Sequence, residues 1–267
     1  MGEAGWTVVE DDAEGMIPRL PICLGVFTST KGHFGRKTDW RLTLDHWDKQ
    51  LPLAAFGERI CHLKVTPGDE QLAAEMTAGL QSRGFHMVET VGNWQRGLSH
   101  GSAYLGDQIK VSQDPRVHTQ PYFLLLEDDA PVLAHGCSLE DLLLRSCHLL
   151  ATNHELVTVR TIRKGDYDGG VPSLGEAEEG RAFYSPHTDF QPLLIRSLDF
   201  YRLGMILEAN PQACEQVQCE AMWAKILRQF SRSSQSNLVW KPFWAEAVHL
   251  GIPSPEHEQL CRQLNLS

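Results

Sequence analysis

Long apolar runs are missing from the 267-residue sequence. None approaches the roughly 20 residues that a membrane-spanning helix needs. The opening stretch MGEAGWTVVEDDAEG is acidic and has no signal-peptide core. No integral membrane segment and a cytoplasmic location are therefore expected. Positive charge is scarce as well: 24 Lys and Arg stand against 34 Asp and Glu, for a formal net charge of −10. That balance argues against a nucleic-acid partner, but it leaves room for a small phosphorylated ligand held through a cation. There is no CxxC pair, and Cys23, Cys61, Cys137, Cys147, Cys214, Cys219 and Cys261 are odd in number and scattered. They read as reduced, mostly packed thiols. His135, Cys137, Cys147 and His148 invite a zinc reading. Neighbours on a helix point about 100° apart, however, so Cys147 and His148 are poorly placed to share an ion. Internal repeats and low-complexity tracts are absent.

What is present is an alternation of strand and helix patterns. LPICLGVF (20–27) and RICHLKV (59–65) are β-rich apolar runs, each ending in a polar loop. Between them Trp40, Leu44, Trp47 and Leu51 recur at helical spacing. Leu72, Met76 and Leu80 mark a second helix, closed by Gly84. FHMVET (85–90) is a third strand, and a helix is expected over 93–112 with Leu98, Leu105 and Ile109 inward. PYFLLLE (121–127) is a strand, 139–150 a leucine-rich helix and 156–162 a strand. Residues 163–189 are rich in Gly and acids without periodicity and read as a long loop. DFQPLLIR (189–196) is a strand, 212–230 a helix, and LVWKPFWAEAVHLG ends the sheet. The pattern predicts an α/β fold with a mixed, mostly parallel sheet and helices on both faces. The expected division is an acidic leader (1–19), a single domain (20–257, with halves 20–130 and 131–257) and a tail (258–267).

In parallel sheets ligands sit at the carboxyl ends of the strands, and there PYFLLL runs into Glu127, Asp128 and Asp129. Three adjoining carboxylates raise one another's pKa unless solvent or a cation screens them. Glu127 and Asp129, two apart in extended chain, face the same way. They suit a hard divalent ion, Mn²⁺ or Mg²⁺, whose shell is completed by water and phosphate. The plainer alternative is a solvated turn capping the next helix.

An apolar strand ending in (E/D)DD resembles the metal motif of glycosyltransferases with the GT-A fold. VFTSTK resembles their first strand and nucleotide loop, and WQRGLSHGSAYLGDQ their helix beneath the diphosphate. VWKPFWAEAVHLGIPSPEH resembles their late strand with its His-x-Gly turn. Together these look most like the N-acetylglucosaminyltransferase IV type, over roughly residues 20–257. The chain departs from that type in a longer loop before the acidic strand and in the Gly-rich loop at 165–180.

The resemblance implies a nucleoside-diphosphate sugar donor (a UDP-sugar favoured), a glycan or other hydroxyl acceptor, and Mn²⁺ or Mg²⁺. Asp129 would be the principal metal ligand, His249 a second, with His257 as its substitute. Asp128 would support the metal or contact the ribose or sugar, and Glu127 would join the metal or order the strand end. Thr28 and Asp69 would meet the base or ribose, although Asp69 could equally cap a helix. Arg96 and His100 would meet the diphosphate. Glu220, followed by Met222 and Trp223, would be the general base, with Asp189 as runner-up or as a ligand of acceptor hydroxyls. Trp240, Phe243 and Trp244 offer a platform for a sugar ring, although a Trp in a strand more often belongs to the core. Two other classes share these features: a nucleotidyltransferase making an activated sugar, and a non-catalytic nucleotide- or sugar-binding module.

Overall fold

The computed structural model describes residues 19–30, 40–92, 106–127, 131–162, 171–186, 192–210 and 219–247, with the backbone alone at 219–221. The chain opens with β1 (Leu20–Ser29), which pairs in parallel with β2 (Phe56–Val65) on one side and β4 (Tyr122–Glu127) on the other. A strand flanked on both edges and covered on both faces reads as a continuous apolar run rather than an alternation. This is why LPICLGVF is legible as a strand but not as one face of anything.

Beyond β2 lies β3 (His86–Val91), also parallel. On the far side of β4 the direction changes. β9 (Leu193–Arg196) runs antiparallel between β4 and β6 (Thr158–Arg160), and β10 (Asn237–Trp240) is parallel to β6. β8 (Ala182–Tyr184) and β7 (Gly175–Ala177) close that edge as an antiparallel pair. Among the described residues this makes a nine-stranded sheet ordered β3-β2-β1-β4-β9-β6-β10-β8-β7. Only β9 and β8 run against the rest, so the sheet is mixed and mostly parallel. A separate antiparallel ladder joins β5 (Val132–Ala134) to β11 (Ala245–Ala247).

Successive residues of β1 feed opposite layers, as the twofold period of a strand requires. Ile22, Leu24 and Val26 pack with Trp40, Leu44 and Trp47 of α1 (Trp40–Gln50), Met76 and Leu80 of α2 (Glu70–Gln81), and Leu142 and Leu150 of α4 (Leu139–Thr152). Cys23 and Phe27 join the other layer. There Phe123, Leu193 and Ile195 meet Val111 of α3 (106–112), Phe200, Leu203 and Leu207 of α5 (Ser197–Ala209), and Trp223 and Ile226 of α6 (Cys219–Leu227). Phe123 and Phe200 stack with centroids 4.3 Å apart. Gly25 is required by this packing: a Cβ there would stand 2.1 Å from the Phe123 ring. The carboxyl end of α4 is closed by Arg196. Its guanidinium donates to the carbonyl of Leu150, in the last turn, where a helix leaves carbonyls bare, and to those of Asn153 (2.9 Å) and Leu156 (2.8 Å) just past it.

Three expectations need correction. The reading passed from the strand ending at Arg196 to a helix at 212, whereas α5 occupies 13 residues there. Its exposed side carries Leu198, Tyr201 and Met205 as well, so apolar residues on both sides blur the period. The stretch read as a loop from 163 to 189 contains β7 and β8, which are too short for a twofold period to register. LVWKPFWAEAVHLG is not one strand. Pro242, which has no N–H to give a ladder, lies in a turn in which Trp244 and Ala245 both donate to the Lys241 carbonyl, and the chain then leaves the sheet for β11. In the helix expected over 93–112 the described part is 106–112. It is helical as expected, with Ile109 packed partly buried against the core, and Asp107 and Gln108 are buried as well. No helix among the described residues is long and apolar enough to cross a membrane.

Candidate active site

The carboxyl end of β4 lies in the middle of the sheet, with Glu127 half-buried opposite Phe27 of β1. Asp128 and Asp129 lie outside the described residues, which resume at Pro131. The next element decides where that acidic stretch leads. Val132 pairs directly with Ala247, the last described residue before 248–250. Asp129 is three residues before Val132 and His249 two residues after Ala247, so the two stretches attach to the same end of one ladder. His249 and His257 themselves lie outside the described residues.

Three contacts hold that end in place. The Val132 carbonyl accepts from Gln50 Nε2 (2.6 Å) and His46 Nε2 (2.9 Å) of α1. The Ala247 amide donates to the Ile162 carbonyl at 3.2 Å, just past β6. Burial lowers the pKa of His46, outweighing the opposing effect of its bond to Val132.

Of the residues expected to meet the nucleoside, Thr28 is buried near the end of β1. Asp69 occupies the N-cap position of α2, but its side chain makes no capping bond. The first turn is instead tied by Glu70, whose carboxylate accepts from the Gly68 amide at 3.0 Å. Arg96, His100 and Asp189 fall outside the described residues. Position 220 lies in the first turn of α6, whose inward face (Met222, Trp223, Ile226, Leu227) is core. The side chain of Glu220 is not among those described. Trp240 is also core, its Nε1 donating to Ser146 Oγ at 3.1 Å, so it is removed from the sugar platform. Phe243 is exposed, and Trp244 is half-buried beneath Arg181. Among the described residues no three His, Cys, Asp or Glu side chains converge as a metal site. Burial pushes the thiols of Cys23 and Cys147 up to about 12, which makes them inert.

The sequence reading missed a buried polar cluster at the ends of β2 and β3. Lys64 Nζ donates to both carboxylate oxygens of Asp107 on α3, at 3.1 Å each. Thr90 Oγ1 donates to Asp107 Oδ1 at 3.3 Å, and His62 Nε2 lies 3.3 Å from the same oxygen. Ser29, Lys64 and Thr90 are register partners across β1, β2 and β3, so the cluster lies across three strand ends. Nearby, Ser29 Oγ, His62 Nδ1 and both amide atoms of Gln108 are buried without a partner among the described residues. Polar residues at alternate positions of RICHLKV, a run otherwise apolar, were the available signal.

Burial works to raise the pKa of Asp107, but the hydrogen bond and charge of His62 and the charge of Lys64 outweigh it and hold the carboxyl below its ordinary value. A depressed carboxylate stabilises the fold above its unfolded pKa, and that contribution is lost as pH falls through the folded value. Lys64→Met removes the cation and leaves a buried charge, at a cost of about 3–5 kcal/mol near neutral pH. The gap from wild type should narrow on acidification. The wild type then loses its gain, while the variant escapes its penalty by protonating Asp107. Urea unfolding of both proteins across pH 3–7 (roughly the range in which carboxylates titrate) checks this. A gap independent of pH would mean that the pair is not the cause.

No protein-family model and no curated protein sequence matches the chain. Among solved structures it is similar to a protein from Bacillus anthracis described as a glucose-1-phosphate thymidylyltransferase, solved with a sucrose. The identity is 10%, the TM-score 0.53, and the match covers 91% of this chain and 94% of that one. It is also similar to a 4-diphosphocytidyl-2C-methyl-D-erythritol synthase from Anaerococcus prevotii (15% identity, 92% and 98% covered, TM-score 0.49). A third similar structure is a glycosyltransferase involved in glycosylation of the major capsid of PBCV-1 (8% identity, 92% and 100% covered, TM-score 0.43). At such identities the likeness is one of fold alone, a mixed, mostly parallel α/β sheet.

Proposed function

We propose that the chain is a divalent-metal-dependent, inverting glycosyltransferase of the N-acetylglucosaminyltransferase IV kind. It would move a sugar from a nucleoside-diphosphate sugar, a UDP-sugar in the favoured case, to an acceptor hydroxyl. The observation that carries the reading is the register of β5 with β11. It pairs Val132 with Ala247, from which Asp129 and His249 are three and two residues away in sequence, and this supports a site shared by the two.

In this reading Asp129, His249 and Glu127 hold Mn²⁺ or Mg²⁺, carboxylate and imidazole donors that suit Mn²⁺ in particular. The ion would offset the charge of the departing diphosphate. Asp128 supports that site or meets the ribose or sugar, Thr28 and Asp69 meet the nucleoside, and Arg96 and His100 meet the diphosphate. Glu220 takes the proton of the acceptor hydroxyl as its oxygen attacks the anomeric carbon and the bond to the diphosphate breaks. Asp189 is the alternative base.

A second reading has its own support, since the neighbour with the TM-score of 0.53 carries the name of a thymidylyltransferase. A nucleotidyltransferase would join a sugar phosphate to a nucleotide and release pyrophosphate. Against it, the loop TSTKGHFGR is short of the glycines and arginines that hold a triphosphate. Thermal unfolding with UDP, UTP and UDP-sugars, each with and without Mn²⁺, tests the proposal, because a ligand of the folded state raises its apparent stability. Metal-dependent stabilisation by UDP and UDP-sugars is expected. Stabilisation by UTP alone would favour the second reading.

A further inference from the structure

The β5–β11 ladder is short, and bonded and unbonded pairs alternate along an antiparallel register. The His135 amide donates to the Trp244 carbonyl at 2.9 Å, which makes that position a bonded one. Counting along the register, Leu133 with Glu246 is again a bonded pair, and Val132 with Ala247 is a pair that faces outward. The amides and carbonyls of such a pair turn away from the opposite strand and must find partners elsewhere. On one side the Ala247 amide reaches the Ile162 carbonyl at 3.2 Å. On the other, among the described residues, no strand pairs with the outer edge of β5. Two side chains of α1 stand in for one, Gln50 Nε2 at 2.6 Å and His46 Nε2 at 2.9 Å from the Val132 carbonyl oxygen.

His46 and Gln50 are one helical turn apart and share a face of α1, whose Trp40, Leu44 and Trp47 are fixed in the core. The imidazole serves in either tautomer. With its proton on Nε2 it donates to the carbonyl. With the proton on Nδ1, its bare Nε2 accepts from Gln50, 2.7 Å away, which gives its other hydrogen to the carbonyl. Either way the oxygen keeps a donor. Val132 is 1% exposed and His46 7%, so water is a poor substitute. Loss of one donor therefore leaves the carbonyl bonded, whereas loss of both leaves a buried acceptor bare.

We propose that His46 and Gln50 are positioning residues for the metal end of the site. By holding the Val132 carbonyl they fix the outward-facing pair from which the chain continues, three residues back, to Asp129 and, two residues beyond Ala247, to His249. The proposal rests on the reading of those two residues as metal ligands. Its test therefore includes a measurement that needs no metal.

Electron paramagnetic resonance of Mn²⁺ in the presence of UDP reads the metal affinity. Hydrogen exchange of peptides spanning 131–135 and 244–247 reads the ladder alone. His46→Phe and Gln50→Met, which keep bulk and shape, should each stay within about threefold of wild-type affinity, because one donor remains. The double variant should lose about tenfold or more, within the range for removing a group that orients a metal ligand. It should also exchange faster at the ladder but not at β1 or β4. His46→Gln combined with Gln50→Met restores an N–H donor at position 46 and should recover most of the affinity. Two small losses and one large one, with rescue by a donor, is a pattern that lost packing alone does not give. The comparison with the rescued pair holds even if the double variant is less stable, because affinity is read on folded protein. Wild-type Mn²⁺ affinity in the double variant would overturn the proposal, as would a single variant that loses as much as the pair. If the wild type takes no Mn²⁺ with UDP, the metal reading itself fails and this role falls with it.

Discussion

Glu220→Gln is expected to lower sugar transfer by about 10²- to 10⁴-fold, the range for removing a general base, while leaving donor affinity unchanged. The glutamine keeps the size and hydrogen-bonding outline of the acid but cannot accept a proton. The site therefore still assembles, and only the step in which the acceptor hydroxyl is deprotonated suffers. The wild-type rate should fall on the acid side as Glu220 protonates, and the variant should lack that limb. This pH signature separates a base from a residue that merely steadies α6, since a structural role would lower the rate equally at every pH. Measured side by side with the donor identified by thermal unfolding, equal turnover in both proteins would reject Glu220, and Asp189→Asn would then be the variant expected to fail.

Asp129→Asn is expected to weaken Mn²⁺-dependent UDP binding by more than about 100-fold, exceeding the 10- to 100-fold typical of losing an outer partner of a metal ligand. His249→Ala should weaken it less, because a neutral imidazole contributes less charge than a carboxylate. In the absence of metal, Asp129→Asn should if anything raise the melting temperature, since it relieves repulsion among Glu127, Asp128 and Asp129. Calorimetric titration of UDP in Mn²⁺ and in chelator reads both effects. Unchanged affinity in Asp129→Asn would remove the metal reading. If His249→Ala loses stability equally with and without metal, His249 belongs to the core.

The parts of the fold legible in the sequence are those whose cause is local. β1 and β4 are long apolar runs that stop at polar residues, and burial on both faces makes such runs conspicuous. α4 announces its own start: Ser138 Oγ accepts from the Asp141 amide at 3.0 Å, ahead of a leucine-rich run. The illegible parts depend on distant partners. β5 and β11 are three residues each, and their pairing spans a contact such as His135 to Glu246, 111 positions apart.

The candidate site divides the same way. Glu127 to Asp129 stand out in the sequence because three carboxylates at the end of an apolar run are electrostatically costly. The Lys64–Asp107 pair could not be found, because each residue taken alone is an ordinary charge and only the fold brings positions 43 apart together. The Trp240 platform failed for a related reason. An indole in a strand carries no mark of which face it takes, and here it faces Ser146 in the core.

The central claim, that the chain transfers a sugar and not a nucleotide, is tested most directly by what it makes. Purified protein with a panel of UDP-sugars, Mn²⁺ and a mixture of methyl glycosides, with and without added pyrophosphate, can be resolved by ion-exchange chromatography. The account predicts metal-dependent release of UDP, indifferent to pyrophosphate and lost in Asp129→Asn. UTP and a sugar 1-phosphate appearing only when pyrophosphate is supplied, with no UDP released, would contradict it.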